Sequence, residues 1–242
     1  MKSEAIVELG KPLQTVETET PTPKGKEVLL KITHSGVCHS DVHIHDGYFD
    51  LGGGNKLPVG AMLNLPHTMG HEIEGEVVSI GSDVKDVEIG SNVVAYPWIG
   101  CGNCSTCSDG DEHYCNAPRQ LGIQLPGGFA DYCIVPDSKY ILDYDGIRPG
   151  LAATYMCSGL TAFGALKKIV NISDKDHILI MGLGGVGMMG LQFAKSLFNC
   201  KILAADIDPN KLQAAKGAGA DEIYDTSDEQ SLKKLLEDTG GG

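Results

Sequence analysis

Long apolar runs and basic residues are scarce in this sequence. No stretch reaches about 18 consecutive apolar residues, so no membrane-spanning helix is predicted. The first residues, MKSEAIVELGKP, lack the basic and then apolar pattern of a secretory leader. With 19 Lys and Arg against 32 Asp and Glu, the net charge of −13 argues against nucleic acid or an anionic membrane as a partner. We therefore expect a cytoplasmic protein in a reducing compartment, where structural disulfides are rare.

Cysteine, in contrast, is well represented, with eight residues that call for a metal explanation. Four of them follow the spacing C-x2-C-x2-C-x7-C within GCGNCSTCSDGDEHYC, namely Cys101, Cys104, Cys107 and Cys115. Four thiolates suit a tetrahedral zinc ion in a closed, structural site. An iron–sulfur cluster is the main alternative and a disulfide pair the third. Cys133 and Cys200 remain, and we expect both to be buried apolar residues.

Two kinds of organisation follow each other along the chain. Up to about residue 150, β-branched runs such as EVLLKITHSG and EIEGEVVSIGS are cut by Gly and Pro, which predicts short strands. Residues 45–66, rich in Gly, Pro and Asn, are predicted to form a long surface loop or lid. Beyond residue 156, strands and helices alternate, which predicts a doubly wound parallel sheet. One helix places apolar residues at 186, 189, 193 and 197, and we predict that they form its buried face.

A glycine motif joins the first strand and helix of the second part. Gly182, Gly184 and Gly187 form G-x-G-x-x-G within GLGGVG, which also includes Gly185 and Val186. Such glycines allow a tight turn, a close approach of the backbone to a pyrophosphate and close packing of helix on strand. Asp206 ends the next strand, where a carboxylate binds ribose hydroxyls and favours NAD over NADP. A glycine turn with an incidental aspartate is the alternative, and Asp208 is the competing acid.

A second possible metal set is dispersed along the chain. Cys38 lies in VCHSDVH, His71 in MGHEIEG and Cys157 in MCSGLTAFG. Each alone is more commonly a buried apolar or core residue. Together, two thiolates and one imidazole can hold a catalytic zinc ion with one open position.

Five motifs, in this order, resemble the zinc-dependent alcohol dehydrogenases of the medium-chain dehydrogenase/reductase family: GVCHSDVH, GHEIEGEV, GCGNCSTCSDGDEHYC, CSGLTAFGAL and GLGGVG. The resemblance implies an α/β protein with a GroES-like, β-rich catalytic domain at 1–155 and a partial Rossmann domain at 156–242. It also implies two zinc ions per chain, one catalytic and one structural, with NAD as the hydride acceptor. The substrate would be a small alcohol and its aldehyde or ketone, and the full-length form a homodimer or homotetramer.

The resemblance also implies individual roles. Cys38, His71 and Cys157 match the catalytic zinc ligands. Glu72 matches an acid that approaches the zinc, and Asp41 the carboxylate that orients the histidine ligand. Ser40 and His43 match the residues of the proton relay. The cofactor contacts are matched by His39, Thr161 and Lys211. Trp98 matches a substrate-pocket position in some relatives, whereas His45 has no such match and is expected to be exposed.

The sequence departs from this family at its end. Residues 159–242 supply about three strands, whereas the Rossmann order needs six. We therefore expect a truncated chain with an exposed sheet edge after the third strand. The alternative function is a zinc-bearing, nucleotide-binding fragment without catalysis.

Overall fold

The computed structural model describes residues 1–241; Gly242, the last residue of the predicted Rossmann domain, lies outside them. The chain divides into two compact units, Met1–Cys157 and Ser158–Gly242. The assignment of 1–155 and 156–242 to functional domains stays a prediction. Within residues 1–241, no helix is both long enough and apolar enough to cross a membrane.

The first unit is made mainly of short strands. They are β1 (Lys2–Ile6), β2 (Gln14–Glu17), β3 (Val28–Gly36), β4 (Tyr48–Asp50), β5 (Lys56–Pro58), β6 (His67–Thr68), β7 (Glu72–Ile80), β8 (Asn92–Ala95), β9 (Tyr132–Val135) and β10 (Ile141–Leu142). Its helices are α1 (His39–Asp46), α2 (Ser105–Ser108) and α3 (Ala152–Thr154). Single helical turns lie at Gly60–Met62, Glu112–Tyr114 and Ser138–Tyr140.

A five-stranded antiparallel sheet in the order β10-β8-β7-β3-β9 forms the centre of this unit. Leu30, Ile73 and Val77 are buried in its core, as β-branched and apolar strand residues should be. In the pairing of β3 with β7, Gly36 lies opposite Glu72. The end of β3 and the start of β7 are therefore adjacent, which brings the chain on either side of them, at 37–38 and at 71, to the same edge of the sheet.

Residues 45–66 are more ordered than predicted. Strands β4 and β5 pair as an antiparallel hairpin around Gly52, Gly53 and Gly54, all of which have positive φ. The glycines that suggested a loop in fact form the turn of this hairpin, since glycine adopts positive φ without steric cost. The prediction of a long loop was wrong for residues 48–58, which form this hairpin, although residues 51–58 are exposed, as expected for a surface segment.

The second unit alternates helices and parallel strands: α4 (Leu160–Leu166), β11 (His177–Met181), α5 (Gly185–Leu197), β12 (Lys201–Asp206), α6 (Pro209–Gly217), β13 (Glu222–Asp225) and α7 (Glu229–Thr239). The three strands pair in the order β11-β12-β13. Alternate residues of β12 belong to different cores. Ile202 and Ala204 pack with residues of α5 and α6, while Leu203 and Ala205 pack with Tyr224 and with Leu235 of α7. Helices thus cover both faces, which confirms the doubly wound sheet.

The buried face of α5 differs from the predicted one. Gly190, Leu191 and Ala194 are buried, whereas Val186 and Leu197 of the predicted face are exposed. Phe193, which the prediction included, is partly buried and packs against the same core, so the prediction was wrong for Val186 and Leu197. Glycine and alanine let the helix approach the sheet closely, so the face with small residues is the one that packs.

Both edges of the three-stranded sheet are open among the described residues. β13 ends the sheet on the side where an exposed edge was predicted. The exposed apolar side chains lie instead at the other edge, on β11, where Met181 is 69% exposed and Leu179 is 37% exposed. Since β12 and β13 are added on the same side of β11, the first strand of the unit stays at an edge.

The packing of α5 predicts which leucine supports the second unit. Replacing Leu191 by Ala should lower the free energy of unfolding by about 2–5 kcal/mol, because a fully buried side chain leaves a cavity. Leu197→Ala, on the same helix but 42% exposed, should change it by only about 0.5 kcal/mol. Urea unfolding of the two variants measures the difference; equal losses would contradict the observed helix face.

Candidate functional site

Helix α1, which follows β3, begins the first candidate site. Cys38 precedes the helix, and its backbone N–H donates to Asp41 Oδ2 at 2.9 Å. Gly47 ends the helix with φ 82°, a conformation that suits glycine. The buried Asp41 therefore fixes the first turn and with it the position of Cys38.

His71 lies immediately before β7 and is fully buried. Its Nδ1 atom lies 3.3 Å from Asp41 Oδ1. The ring of Trp98 lies beside it, with centroids 5.6 Å apart, and Trp98 Nε1–H donates to the Met156 carbonyl at 2.9 Å. Trp98 thus contacts His71 and is held by the residue before Cys157.

Cys38, His71 and Cys157 come together, although 119 positions separate the two cysteines. Their ligand atoms all lie within 4.8 Å of one another. The two sulfurs are 3.8 Å apart, far beyond a disulfide bond of about 2.05 Å and equal to the edge of a zinc–thiolate tetrahedron, about 3.8 Å for Zn–S bonds of about 2.3 Å. His71 Nε2 has no hydrogen-bond partner among residues 1–241. A buried, unpaired ring nitrogen beside two sulfurs is what a zinc ligand set requires.

The electrostatics of this trio favour a cation. The Cys157 thiol and then the His71 imidazole lower the pKa of Cys38 to about 3. Burial opposes charge on His71, but Asp41 and Cys38 outweigh it and raise the pKa of the imidazole to about 9. The pKa of Cys157 rises, first because of Cys38 and then because of burial. One thiolate is therefore stable in the free trio, and the second requires a bound cation.

The four clustered cysteines form the second candidate site, and their ligand atoms also lie within 4.8 Å of one another. Sulfur separations are 3.5 Å for Cys104–Cys107, 3.8 Å for Cys104–Cys115 and 3.9 Å for Cys101–Cys107. These values match the tetrahedral edge of about 3.8 Å around a single zinc ion. A cluster of several iron ions would hold the sulfurs further apart, so the geometry favours one metal ion with no open position.

Glu112, which no sequence motif indicated, connects the segment of the four cysteines to the rest of the first unit. Its Oε2 accepts hydrogen bonds from the Gly100 N–H at 3.1 Å and from Tyr140 O–H at 2.5 Å, and its Oε1 accepts one from Lys139 Nζ at 2.5 Å. Burial raises the pKa of its carboxyl, but Lys139 and Tyr140 outweigh this and lower it. In the sequence, Glu112 lies in the acidic run DGDEH and looks like an exposed residue.

The glycine motif lies between β11 and α5, as predicted. Gly182 has φ 85°. A Cβ atom on Gly187 would lie 1.8 Å from the Gly182 carbonyl oxygen, so this position requires glycine. A Cβ atom on Gly184 would meet nothing within 4 Å, and the space at the N-terminus of α5 stays open. Free N–H groups and the positive end of the helix dipole make this space suitable for a phosphate.

Asp206 closes the same loop from the end of β12. Its Oδ2 accepts a hydrogen bond from the Leu183 N–H at 2.6 Å and its Oδ1 one from the Asp208 N–H at 2.9 Å, while Lys211 Nζ lies 4.0 Å from Oδ1. The pKa of its carboxyl is lowered, above all by the Leu183 N–H. Asp208, the competing acid, caps α6 by accepting from the Asn210 N–H at 2.9 Å.

The remaining candidates are distributed over both units. Ser40 and His43 lie three residues apart on α1, and the His43 ring is 4.8 Å from the rings of both His39 and Phe49.

Glu72 is buried, and its Oε2 occupies the space that a Cβ atom on Gly36 would need. In the second unit, Thr161 in α4 and Gly185, Val186 and Lys211 are exposed.

Three cysteine and histidine predictions outside the sites have clear outcomes. Cys133 and Cys200 are buried, as predicted. His45 is not simply exposed: its Nε2 bonds with the Lys11 carbonyl at 2.7 Å and its Nδ1 with Asp46 at 3.1 Å. His45 therefore holds the N-terminal segment against α1.

Comparisons with known proteins show which family the chain resembles. Residues 24–144 match the alcohol dehydrogenase GroES-like domain, and residues 185–242 match the zinc-binding dehydrogenase domain. An NAD-dependent alcohol dehydrogenase of Sulfurisphaera tokodaii is 38% identical over 241 residues, which cover 100% of this chain and 69% of that protein. The chain belongs to the zinc-binding alcohol dehydrogenase family. The family resemblance seen in the motifs is thereby confirmed.

This chain shares its fold with solved structures of alcohol dehydrogenases. The enzyme from Aeropyrum pernix has a TM-score of 0.86 and 28% identity, over 100% of this chain and 69% of its own. A cobalt- and zinc-bound thermostable enzyme from Pyrobaculum aerophilum has a TM-score of 0.81 and 30% identity, over 96% of this chain and 68% of its own. This chain thus spans about two thirds of the length of these relatives.

Proposed function

We propose that this protein is an NAD-dependent zinc alcohol dehydrogenase that interconverts a primary or secondary alcohol with its aldehyde or ketone. The observation that carries the proposal is the convergence of Cys38, His71 and Cys157 around the unpaired, buried Nε2 of His71. The relatives named above support the same chemistry.

The two donor sets have different roles in this proposal. Three ligands from the trio leave a zinc ion one open position, which suits catalysis, whereas four cysteines leave none and suit a structural zinc. Glu72, directly after His71, is the acid proposed to approach the catalytic zinc during ligand exchange. Asp41 keeps the His71 ring in the orientation that points Nε2 towards the cysteines.

The bound groups supply the redox chemistry: zinc would polarise the alcohol oxygen, and NAD would accept the hydride. The protein's own residues move the proton. Ser40 accepts it from the substrate hydroxyl and passes it to His43, since residues three apart on a helix are neighbours. Trp98, which lies against His71, forms one wall of the substrate pocket and keeps water away from the trio.

The second unit binds the nucleotide in this proposal. Backbone N–H groups from Gly184 to Gly187 donate to the pyrophosphate at the start of α5. The remaining lone pairs of Asp206 accept hydrogen bonds from the ribose hydroxyls, and Lys211 contacts the same sugar. Two exposed residues of this unit are proposed to contact the cofactor: Val186, and Thr161 beside the nicotinamide. His39, an exposed residue of the first unit, is proposed to contact a cofactor phosphate.

Two properties of the whole protein extend the proposal. We place the protein in a reducing, cytoplasmic compartment, and the eight cysteines, none of which forms a disulfide within residues 1–241, are compatible with that location. The protein would assemble as a homodimer or homotetramer, as the family resemblance implies.

Turnover by the purified, zinc-loaded protein tests the function. With NAD and a panel of primary and secondary alcohols, NADH should form at 340 nm, and His71→Ala should abolish it by removing a zinc ligand. His177→Ala, which changes an exposed histidine, should leave the rate unchanged. Zinc and NAD binding without NADH formation would support the non-catalytic fragment instead.

Zinc content separates the two donor sets. Wild-type protein should hold two zinc ions, and Cys38→Ser and Cys104→Ser should each hold one. Only Cys104→Ser should keep the zinc of the trio, while losing stability because its loop is no longer held by metal. Elemental analysis with thermal unfolding measures both effects; one zinc ion in the wild type, or iron, would contradict the assignment.

The two glycines of the nucleotide loop should respond differently to alanine. Gly184→Ala should leave the melting temperature unchanged, because its Cβ meets nothing, but weaken NAD binding at least about tenfold, a loss of about 1.4 kcal/mol. Gly187→Ala should lower the melting temperature, because its Cβ would collide with the Gly182 carbonyl. Calorimetry and thermal unfolding give the two values, and unchanged NAD affinity in Gly184→Ala would argue against a phosphate at this loop.

A further inference from the structure

A second acid of β7, Glu74, is buried without belonging to either donor set. It lies three residues after His71 and is only 1% exposed. Burying a carboxylate is unfavourable unless every oxygen is paired, so its partners need to be identified.

Each oxygen of Glu74 has partners from another segment of the first unit. Oε1 accepts hydrogen bonds from His34 Nδ1–H at 3.1 Å and from Tyr144 O–H at 3.0 Å, and Oε2 accepts one from the Gly150 N–H at 2.9 Å. An ionised carboxylate only accepts, and all three partners can donate. Both oxygens of the carboxylate are therefore paired within the protein. Glu74 connects segments of the chain and does not face a ligand.

The segments joined by Glu74 are those that carry the metal-binding trio. Glu74 lies on β7, which begins directly after His71. His34 lies opposite Glu74 on β3, four residues before Cys38. Gly150 lies seven residues before Cys157, and the intervening helix α3 packs against both β3 and β7.

The backbone at Gly150 adds to the constraint. Its φ is 80°, and a Cβ atom there would lie 3.2 Å from His34 Cδ2. The chain can therefore approach His34 and Glu74 only as glycine in this left-handed conformation. Segment 144–150 is held at both ends, by the Tyr144 hydroxyl and by the Gly150 N–H.

We propose that Glu74 is a positioning residue that holds the three ligand-bearing segments in register, so that Cys38, His71 and Cys157 keep the separation a zinc ion needs. The proposal rests on the proposed function, in which the trio binds the catalytic zinc. It concerns geometry at a distance, because Glu74 touches none of the three ligands.

Release of zinc to a chromophoric chelator tests the proposal. Glu74→Met keeps an apolar volume in place of the carboxylate but removes all three hydrogen bonds. The zinc of the trio should then leave about tenfold faster, at the lower end of the effect of groups that orient metal ligands, while zinc of the four cysteines leaves at the wild-type rate. Glu74→Gln, whose oxygen can face the Gly150 N–H and whose amide can face His34 and Tyr144, should restore the slow rate.

Glu76→Met is the matched control, since Glu76 lies two residues further on the same face of β7 and is only partly buried. It should leave both release rates unchanged. A purely structural role for Glu74 would speed both zinc ions equally or change only the melting temperature, and either result in Glu74→Met overturns the proposal.

If Glu74→Met fails to fold, Tyr144→Phe tests the proposal instead. This variant removes only the hydroxyl that donates to Glu74 Oε1. Faster release from the trio alone supports the proposal, and unchanged release overturns it. The wild type separates this inference from the proposed function: a wild-type protein without zinc at the trio refutes the function, whereas two zinc ions with no effect of Glu74→Met refute only the role of Glu74.

Discussion

The fully buried imidazole of His71, with Nε2 unpaired, is the constraint on which the organisation of the first unit depends. A protein interior does not keep such a nitrogen without a partner unless a bound group completes it. Around it, Asp41 fixes one side and Trp98 covers another. The pairing of β3 with β7 therefore does more than form the core. It places the end of β3, next to Cys38, beside the start of β7, next to His71.

Much of this could be predicted from residue types and spacing. Runs of β-branched residues predicted β3 and β7, and the glycine motif with its flanking apolar strand predicted the β11–α5 turn. The buried face of α5 could not be predicted from apolar periodicity, because two registers of the helix both carry apolar residues. The choice between them depends on how closely the helix approaches the sheet: Gly190 and Ala194 are buried, whereas Met189 and Phe193 are only partly buried.

Two acids with partners far away in the sequence, the buried Glu74 and the partly buried Glu112, illustrate a different limit. Glu74 and Glu112 look like ordinary exposed carboxylates, since acids are mostly found at protein surfaces. Their partners Gly150 and Lys139 lie 76 and 27 residues away. No local pattern indicates such pairs, because the folded backbone alone brings them together. Helix α1 was missed for a similar reason: its amphipathic pattern is weak, and Asp41 and Gly47 define its two ends.

Asp206 has a consequence for how this protein could evolve. The carboxylate proposed to select the sugar of the nucleotide also pairs the N–H groups of Leu183 and Asp208. A basic side chain at this position, of the kind that accommodates a 2′-phosphate, has no acceptor atom and would leave both N–H groups unpaired. A change of cofactor preference is therefore coupled to the integrity of the loop itself. Such a change needs compensating substitutions elsewhere, so a single mutational step at residue 206 leads through a less stable intermediate.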